Sequence, residues 1–310
     1  MEGQLFTVLE TESDKIHKCY LRGKFKKDLQ HKRDKLLYTD IAVVGDEVEY
    51  SMPAEGAGMI SEVFPRKNYI SRKAPRLKGA GVRGERLEQV ICSNIDLLLI
   101  IASVTDPVFN NKVVDRFLVS AESSHINAVI IINKTDLGMN EDAEYFGELY
   151  KILGYKVIFA SAVTGEGTDA IRKLVKNKRV LFWGHSGVGK SSLINYCFPQ
   201  LDLRVGEIST YNFKGKHTTV IVNMNRIDKK TFIIDSPGIR EIDPFGITKE
   251  DLCHYFREFE KYLGNCRYYR CTHHHEPGCA IIEALEKEEI APERYESYLR
   301  ILDTVEDDML

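Results

Sequence analysis

The spacing of apolar and polar positions changes character twice along the 310-residue chain. Over residues 1–70 the apolar residues come in short runs: QLFTVLE, KCYLRG, VVGDEVEYSM, AGMISEVF and NYISRK. Gly, Pro and charged turns separate them, and no run has the three-to-four spacing of an amphipathic helix. That pattern predicts a small β-barrel. From Ile95 onward, DLLLIIASV, INAVIIIN, KVIFAS, RVLFWG, TTVIVNM and TFIID read as strands. NKVVDRFLVSAES, EDAEYFGELYKIL, TDAIRKLVK and KSSLINYCF between and after them read as helices. Continuous apolar strands alternating with helices predict a mainly parallel sheet covered on both faces, an α/β domain. TTVIVNMNRIDKKTFIID reads as a hairpin turning at Arg226–Lys229. Beyond about residue 248 only helices and a Cys/His cluster remain.

These changes divide the chain into a barrel over 1–72, a basic linker over 73–90, an α/β domain over 91–247 and a helical Cys/His segment over 248–310. The linker carries the Gly-rich stretch APRLKGAGVRGE. Apolar content of 43% and charged content of 29% are those of an ordinary soluble protein. No apolar run is long enough to span a membrane, and MEGQLFTVLETESDK lacks a basic segment followed by an apolar core, so the expected location is the cytoplasm. The net charge of −3 does not advertise nucleic acid, but its distribution does. Arg22, Lys24, Lys26, Lys27, Lys32, Arg33 and Lys35 form one basic cluster. Arg66, Lys67, Arg72, Lys73, Arg76, Lys78, Arg83 and Arg86 form another, whereas the chain ends on EDDML. A near-neutral total can hide a patch able to displace counterions from phosphates; the plainer alternative is a solvated face. Seven cysteines without an export signal argue against a disulfide framework.

GHSGVGKSS, from Gly184 through His185, Ser186, Gly187, Val188, Gly189, Lys190 and Ser191 to Ser192, has the spacing of a phosphate-binding loop. RVLFW precedes it as a strand and SSLINYCF follows as a helix, which is the context such a loop needs. Its glycines let backbone N–H groups wrap phosphate oxygens at a helix N-terminus. Lys190 would neutralise the β- and γ-phosphates, and Ser191 would offer its hydroxyl to Mg²⁺. DSPG follows the strand TFII; there Asp235 would hold Mg²⁺ through water and the Gly238 N–H would face a γ-phosphate. KHTT lies between the two, with Thr218 or Thr219 placed to close over the metal.

NKTD follows the strand AVIII. The Asp136 carboxylate can accept from both N1–H and the exocyclic amine of guanine, an edge that adenine lacks. Within the motif of Asn133, Lys134, Thr135 and Asp136, Asn133 would brace the base and the Lys134 stem would cover its face. SAVTG follows KVIFA, with Ser161 opening the loop and the Ala162 N–H directed at the guanine carbonyl. Each short pattern alone is weak, and NKTD can simply cap a helix; their weight comes from each following a strand. The order is base reader, base loop, phosphate loop, switch I, switch II: the GTPase set, cyclically rotated. Rotation keeps the packed core because domain termini often lie close together at the surface.

CRYYRCTHHHEPGCA brings together Cys266, Cys271, Cys279 and three histidines, His273, His274 and His275. Three thiolates and one imidazole make a closed tetrahedral zinc set of the structural kind. With VGDEV, PRKN, NKTD, GHSGVGKSSL, GKHTT, DSPG followed by IRE, and C-x4-C-x-H-x5-C all in order, the chain resembles the ribosome small subunit-dependent GTPase A family. The resemblance implies an N-terminal OB barrel, a central permuted GTPase and a C-terminal zinc domain, with His273 as the fourth ligand. It implies GTP/GDP, Mg²⁺ and one Zn²⁺ as ligands, and binding to the small ribosomal subunit and its rRNA during late maturation. Hydrolysis stimulated by that subunit and linked to release is part of the same expectation, with the chain acting as a monomer. Many GTPases orient the attacking water with a Gln just after DxxG, but Ile239 stands there. Slow intrinsic turnover is therefore expected, with His217 a candidate for positioning water. The rival readings are a GTP-dependent metal chaperone and a GTP-regulated RNA-binding module.

Overall fold

Alternate residues of the N-terminal strands turn inward, as their spacing requires. The computed structural model describes residues 5–22, 41–73, 88–203, 222–235 and 246–305. The basic cluster from Lys24 to Lys35, most of the linker with Arg76, Lys78, Arg83 and Arg86, and the EDDML end lie outside these residues, as do His217, Thr218, Thr219, Gly238 and Ile239. The chain divides into two compact units, 1–94 and 95–310.

In the first unit β1 (Leu5–Leu9) and β2 (Ile16–Leu21) pair antiparallel, with Phe6 opposite Cys19. β3 (Val48–Ser51) pairs antiparallel with β4 (Gly58–Val63), and β4 runs parallel to β2, giving the order β1-β2-β4-β3. Val8, Cys19 and Ile60 form the small core, with Phe6, Leu21, Val48, Tyr50 and Val63 packed against them. β5 (Tyr69–Lys73) and β6 (Glu88–Ser93) make a separate antiparallel ribbon. Residues 73 and 88–90 are therefore strand, where the sequence suggested linker, and 91–94 belong with the first unit. The extended segment pairs back onto β5 because Val90 and Cys92 can be buried there.

Two sequence motifs of this unit turn out to be one ion pair. The Asp46 carboxylate of VGDEV accepts from Arg66 Nε (2.7 Å) and Nη2 (2.8 Å) of PRKN, from Ser93 Oγ (2.6 Å) and from the Val43 N–H (2.8 Å). Both charges are mostly removed from water, and four donors on one carboxylate offset that desolvation. Gly45 precedes Asp46 with φ +99°, and a Cβ there would stand 2.1 Å from the Ser93 carbonyl oxygen.

The second unit is built on a six-stranded sheet of order β11-β12-β10-β7-β8-β9. Its strands are β7 (Leu97–Ser103), β8 (Ala128–Asn133), β9 (Lys156–Phe159), β10 (Arg179–Gly184), β11 (Asn223–Arg226) and β12 (Phe232–Asp235). All pairings are parallel except the β11–β12 hairpin, whose turn lies over 227–231, just past the expected position. Every residue of β7 and β8 is buried, as continuous apolar runs covered on both faces must be. The helices are α1 (Asn111–Ser123), α2 (Glu141–Ile152), α3 (Thr168–Val175) and α4 (Lys190–Cys197). Asn110 and Asn140 cap the first two, accepting from Lys112 N (3.1 Å) and Ala143 N (2.8 Å). The chain steps from β7 toward β8 and β9 on one side and from β10 toward β12 on the other. The strand order thus reverses between β7 and β10, where an open α/β sheet leaves a crevice at its carboxyl ends.

Residues beyond 248 do not separate from this unit. α5 (Ala280–Glu286) and α6 (Pro292–Leu302) join two 3-10 turns, Leu252–Tyr255 and Arg257–Tyr262, around Phe256, Phe259, Tyr298 and Ile301, and Val119 of α1 enters the same apolar cluster. Arg294 of α6 is fully buried. It donates to Asp115 of α1 and, through Nε (2.5 Å) and Nη2 (3.1 Å), to Glu258. Tyr150 of α2 donates to Asp115 at 2.7 Å, and the guanidinium lies 4.6 Å from the Phe256 ring centre. Burial alone would lower the Arg294 pKa, but Asp115 and Glu258 outweigh it and hold the side chain charged. Among the described residues, no helix is long and apolar enough to cross a membrane.

Removing one member of a buried charge cluster strands the others. Arg294→Met is expected to lower stability by about 3–5 kcal/mol, read as the shift in urea midpoint at constant slope. A loss below about 1 kcal/mol would show that water reaches Asp115 and Glu258 and that the cluster holds little.

Candidate functional site

Both loops singled out in the sequence open at the carboxyl ends of the central strands. Gly184 closes β10 with no room for a side chain, since a Cβ would meet the Ile101 carbonyl at 2.3 Å. His185, Ser186 and Gly187 are exposed, Val188 is buried, and Gly189, at φ +85°, opens α4. His185 Nδ1 lies 3.1 Å from the Ser186 carbonyl oxygen. Lys190, Ser191 and Ser192, half-buried, form the first turn of α4. Lys190 Nζ stands 3.6 Å from Asp235 Oδ1 at the end of β12. Mostly shielded from water, the two form an ammonium–carboxylate pair across the mouth of the phosphate loop. Of the expected metal-side residues, Lys190, Ser191 and Asp235 thus share one end of the sheet.

The base-reading candidates follow the adjacent strands. Asn133 ends β8, and its Nδ2 donates to the Val188 carbonyl at 2.9 Å, joining base reader to phosphate loop. Its Oδ1 is buried and finds no hydrogen-bond partner among the described residues, the kind of orphan a ligand satisfies. Lys134 takes a left-handed φ of +67° and donates from Nζ to the Asp106 carbonyl. The Thr135 hydroxyl donates to Glu166 Oε2 (2.5 Å), and its N–H to the Ala160 carbonyl (3.2 Å). Ser161 Oγ donates to Asp136 Oδ1 (2.5 Å) while accepting from the N–H groups of Val163 (3.1 Å) and Thr164 (3.0 Å). One serine thereby aims the carboxylate and shapes the loop that carries Ala162. Asp136 keeps its other oxygen for a ligand edge.

Two participants were not legible beforehand. The loop after β7 meets both motifs: a Cβ on Gly187 would lie 3.4 Å from Pro107, and the Asp106 carbonyl receives Lys134. Glu166 ties the two base loops together. Backbone acceptors carry no sequence signal, and an exposed Glu in a loop looks like any other.

Cys266, Cys271, His273 and Cys279 converge, their ligand atoms all within 4.8 Å of one another. His273 Nδ1 is 3.5 Å from Cys266 Sγ and 3.3 Å from Cys279 Sγ, and the two sulfurs are 3.9 Å apart. A tetrahedral ion with arms of about 2.3 Å to sulfur requires S–S edges of about 3.8 Å, so the set fits a metal. His274 and His275 are exposed, whereas His273 is buried among the thiols. Burial lowers the His273 pKa, favouring the neutral ring that can ligate, and raises those of Cys271 and Cys279. Glu276 of HEPGC shapes the loop. It accepts from Thr272 N and Oγ1 (both 2.7 Å) and from the N–H groups of His274 (3.0 Å) and His275 (3.1 Å). Tyr295 and Tyr298 of α6 donate to the carbonyls of His273 (2.8 Å) and Thr272 (2.7 Å).

A parallel sheet with a phosphate loop at its reversal point, and a base reader that precedes that loop in the chain, defines a circularly permuted P-loop GTPase. Residues 63–245 match the family model of the RsgA GTPase, and the chain belongs to that family. It is 37% identical over 302 residues to the small ribosomal subunit biogenesis GTPase RsgA 2 of Bacteroides thetaiotaomicron, covering 96% of this chain and 93% of that one. The small ribosomal subunit biogenesis GTPase RsgA of Chlorobaculum tepidum is 40% identical over 271 residues, 86% of each chain. Among solved structures, YjeQ from Thermotoga maritima superposes with a TM-score of 0.72 at 31% identity, covering 97% of this chain and 94% of that one. YloQ, described as a circularly permuted GTPase, gives 0.67 at 25%, covering 98% and 91%.

Two measurements test this geometry. A methyl on Gly189 would stand 2.5 Å from Asn133 Nδ2. Gly189→Ala should therefore break the Asn133–Val188 bond and weaken GTP binding about tenfold or more, read by titration with a fluorescent GTP analogue; unchanged affinity would show the bond to be dispensable. At the Cys/His loop, burial would raise the Glu276 carboxyl, but the Thr272 hydroxyl and the backbone amides outweigh it and bring it from 4.5 to about 2. The stability it contributes is complete above about 4.5 and fades as pH falls toward 2. Urea midpoints of the wild type and Glu276→Gln should differ at pH 7, draw together below about pH 4.5 and converge only near pH 2.

Proposed function

We propose that this GTPase binds the small ribosomal subunit through its rRNA late in maturation and hydrolyses GTP there, with release following hydrolysis. The supporting observation is the identity of 37% across 96% of the chain with proteins named for small-subunit biogenesis. In this reading Asp136, aimed by Ser161, accepts from the guanine edge, Lys134 covers the ring, and Ala162 offers its N–H to the guanine carbonyl. The amides from Gly184 to Ser192 and the Lys190 ammonium hold the phosphates and meet the charge that develops as water attacks the γ-phosphorus and GDP leaves. Mg²⁺, when bound between Ser191 and Asp235 with Thr218 or Thr219, would neutralise part of that charge. Gly238 would offer its N–H to the γ-phosphate. Because Ile239 cannot orient water, the missing group comes from His217 or from the subunit.

The set of Cys266, Cys271, His273 and Cys279 is proposed to hold one structural zinc. Three of its four ligands are buried and the loop is braced through its backbone, which supports a fixed ion rather than one for delivery and disfavours a metal chaperone. The N-terminal strands are read as an OB-type RNA-binding unit, aided by the basic residues around it. The protein is proposed to act in the cytoplasm as a monomer.

The deciding experiment is GTP hydrolysis by the purified protein alone, with small subunits and with large subunits. Slow turnover alone and strong acceleration by small subunits only are expected, and Lys190→Ala should abolish both. Loss of acceleration in His217→Ala would assign the water-positioning role; equal rates with either subunit would overturn the proposed partner.

A further inference from the structure

The loop between the first two cysteines of the metal cluster has no task within the described chain. Its four residues, Arg267, Tyr268, Tyr269 and Arg270, are all exposed, and Tyr269 is 101% exposed, so its ring touches nothing that would shield it. Tyr268 is 46% exposed, with the Arg267 guanidinium 5.7 Å from its ring centre. A bare aromatic ring gains nothing from water, so a loop that keeps two of them outside is spending solubility on something.

The platform beneath is fixed. Cys266 and Cys271 end the loop inside the metal set, and the Arg267 N–H donates to the Gly278 carbonyl at 2.9 Å. Gly278, at φ +72°, leaves the Arg267 stem just enough space, since a Cβ there would come within 3.1 Å of it. The exposed rings are therefore presented with little backbone freedom to lose on binding.

The charges around the rings choose the partner. The loop holds two arginines and no acid, and exposed His274 and His275 stand on the neighbouring turn. The Glu276 carboxylate is turned inward onto four donors. Glu250 is the acid that reaches the loop, 3.8 Å from Arg270 in a pair open to water, where such pairs hold weakly. Exposed tyrosines interleaved with arginines suit unpaired nucleotides: the rings stack on bases and the guanidinium groups meet phosphates.

We propose that the Arg267–Arg270 loop is a stacking site for unpaired RNA bases, with Tyr269 the principal platform and Arg267 and Arg270 the phosphate contacts. It is a second RNA contact, apart from the basic N-terminal unit. The choice of RNA rests on the proposed subunit partner, but the deciding titration uses a free oligonucleotide and no subunit, so failure there and failure of subunit stimulation are distinguishable.

The full-length Tyr269→Trp protein supplies the readout, because the chain's own tryptophan, Trp183, is fully buried. Titration with a single-stranded RNA of about ten nucleotides should quench the new emission, and the same sequence as a duplex should not. Tyr269→Ala should lose about 5- to 150-fold in affinity for the single strand, while Tyr269→Phe keeps it. Metal content and unstimulated GTP turnover should match the wild type in all three variants. Unchanged emission at saturating RNA, or equal loss in the Phe and Ala variants, would overturn base stacking. Weakened subunit binding by Tyr269→Ala with undiminished oligonucleotide binding would also overturn it, and would assign the loop to a protein.

Discussion

The parallel pairing of β7 with β10 is the constraint on which the rest of this structure hangs. It sets two strands side by side whose chains then leave in opposite directions, so their carboxyl ends cannot both be roofed by the same crossover. The opening that results is where backbone amides can face an anion without competing for intrahelical bonds. Asn133 bridges from the next strand to the phosphate loop with a single amide, so base reader and phosphate loop become one rigid surface. The rotated order of the motifs leaves this arrangement untouched. The sheet registers strand neighbours, not the sequence in which they were made.

A second tie, Arg294, explains why the C-terminal helices do not behave as an appendage. One guanidinium joins α6 to Asp115 of α1 and to Glu258, while tyrosines one and four positions further along α6 hold the carbonyls of the cysteine loop. The helix thus faces the GTPase core with its charge and the metal cluster with its hydroxyls. Buried ion clusters add little net stability against an apolar substitute, but they forbid misalignment. A helix slipped by one turn would leave two carboxylates in an apolar interior.

Much of this was visible in the sequence, for reasons that differ from place to place. The all-apolar runs of β7 and β8 could only be strands buried on both faces. The helix Asn111–Ser123 was visible as the run NKVVDRFLVSAES, and the structure adds its cap, Asn110. The loops at Gly184 and Asn133 were legible because phosphate and base recognition impose short, rigid spacings. The Cys/His cluster was legible in composition; spacing left three histidines open and the family resemblance selected His273, which lies buried beside the thiols while His274 and His275 face water. What stayed hidden are contacts between residues far apart in the chain. Asp46 and Arg66 read as two ordinary charges, Arg294 as one more surface arginine, and residues 88–90 as the end of a linker, because a strand that returns across a long loop carries only half of its own pattern. The Asp106 carbonyl that receives Lys134 has no side-chain signature at all.

The strand order also has a consequence for synthesis. Chains are made from the N-terminus and fold unit by unit as they emerge. Here β7, β8 and β9, with the base reader, are complete while β10 is still unmade, and β12 with Asp235 comes later still. A GTPase with the usual order meets nucleotide phosphate early and the base last. On the proposed assignment of the site, this chain makes its base-reading loops first and its phosphate loop afterwards. Under that assignment a chain stopped before β10 lacks the proposed phosphate site, and nucleotide binding energy reaches the fold only late in translation.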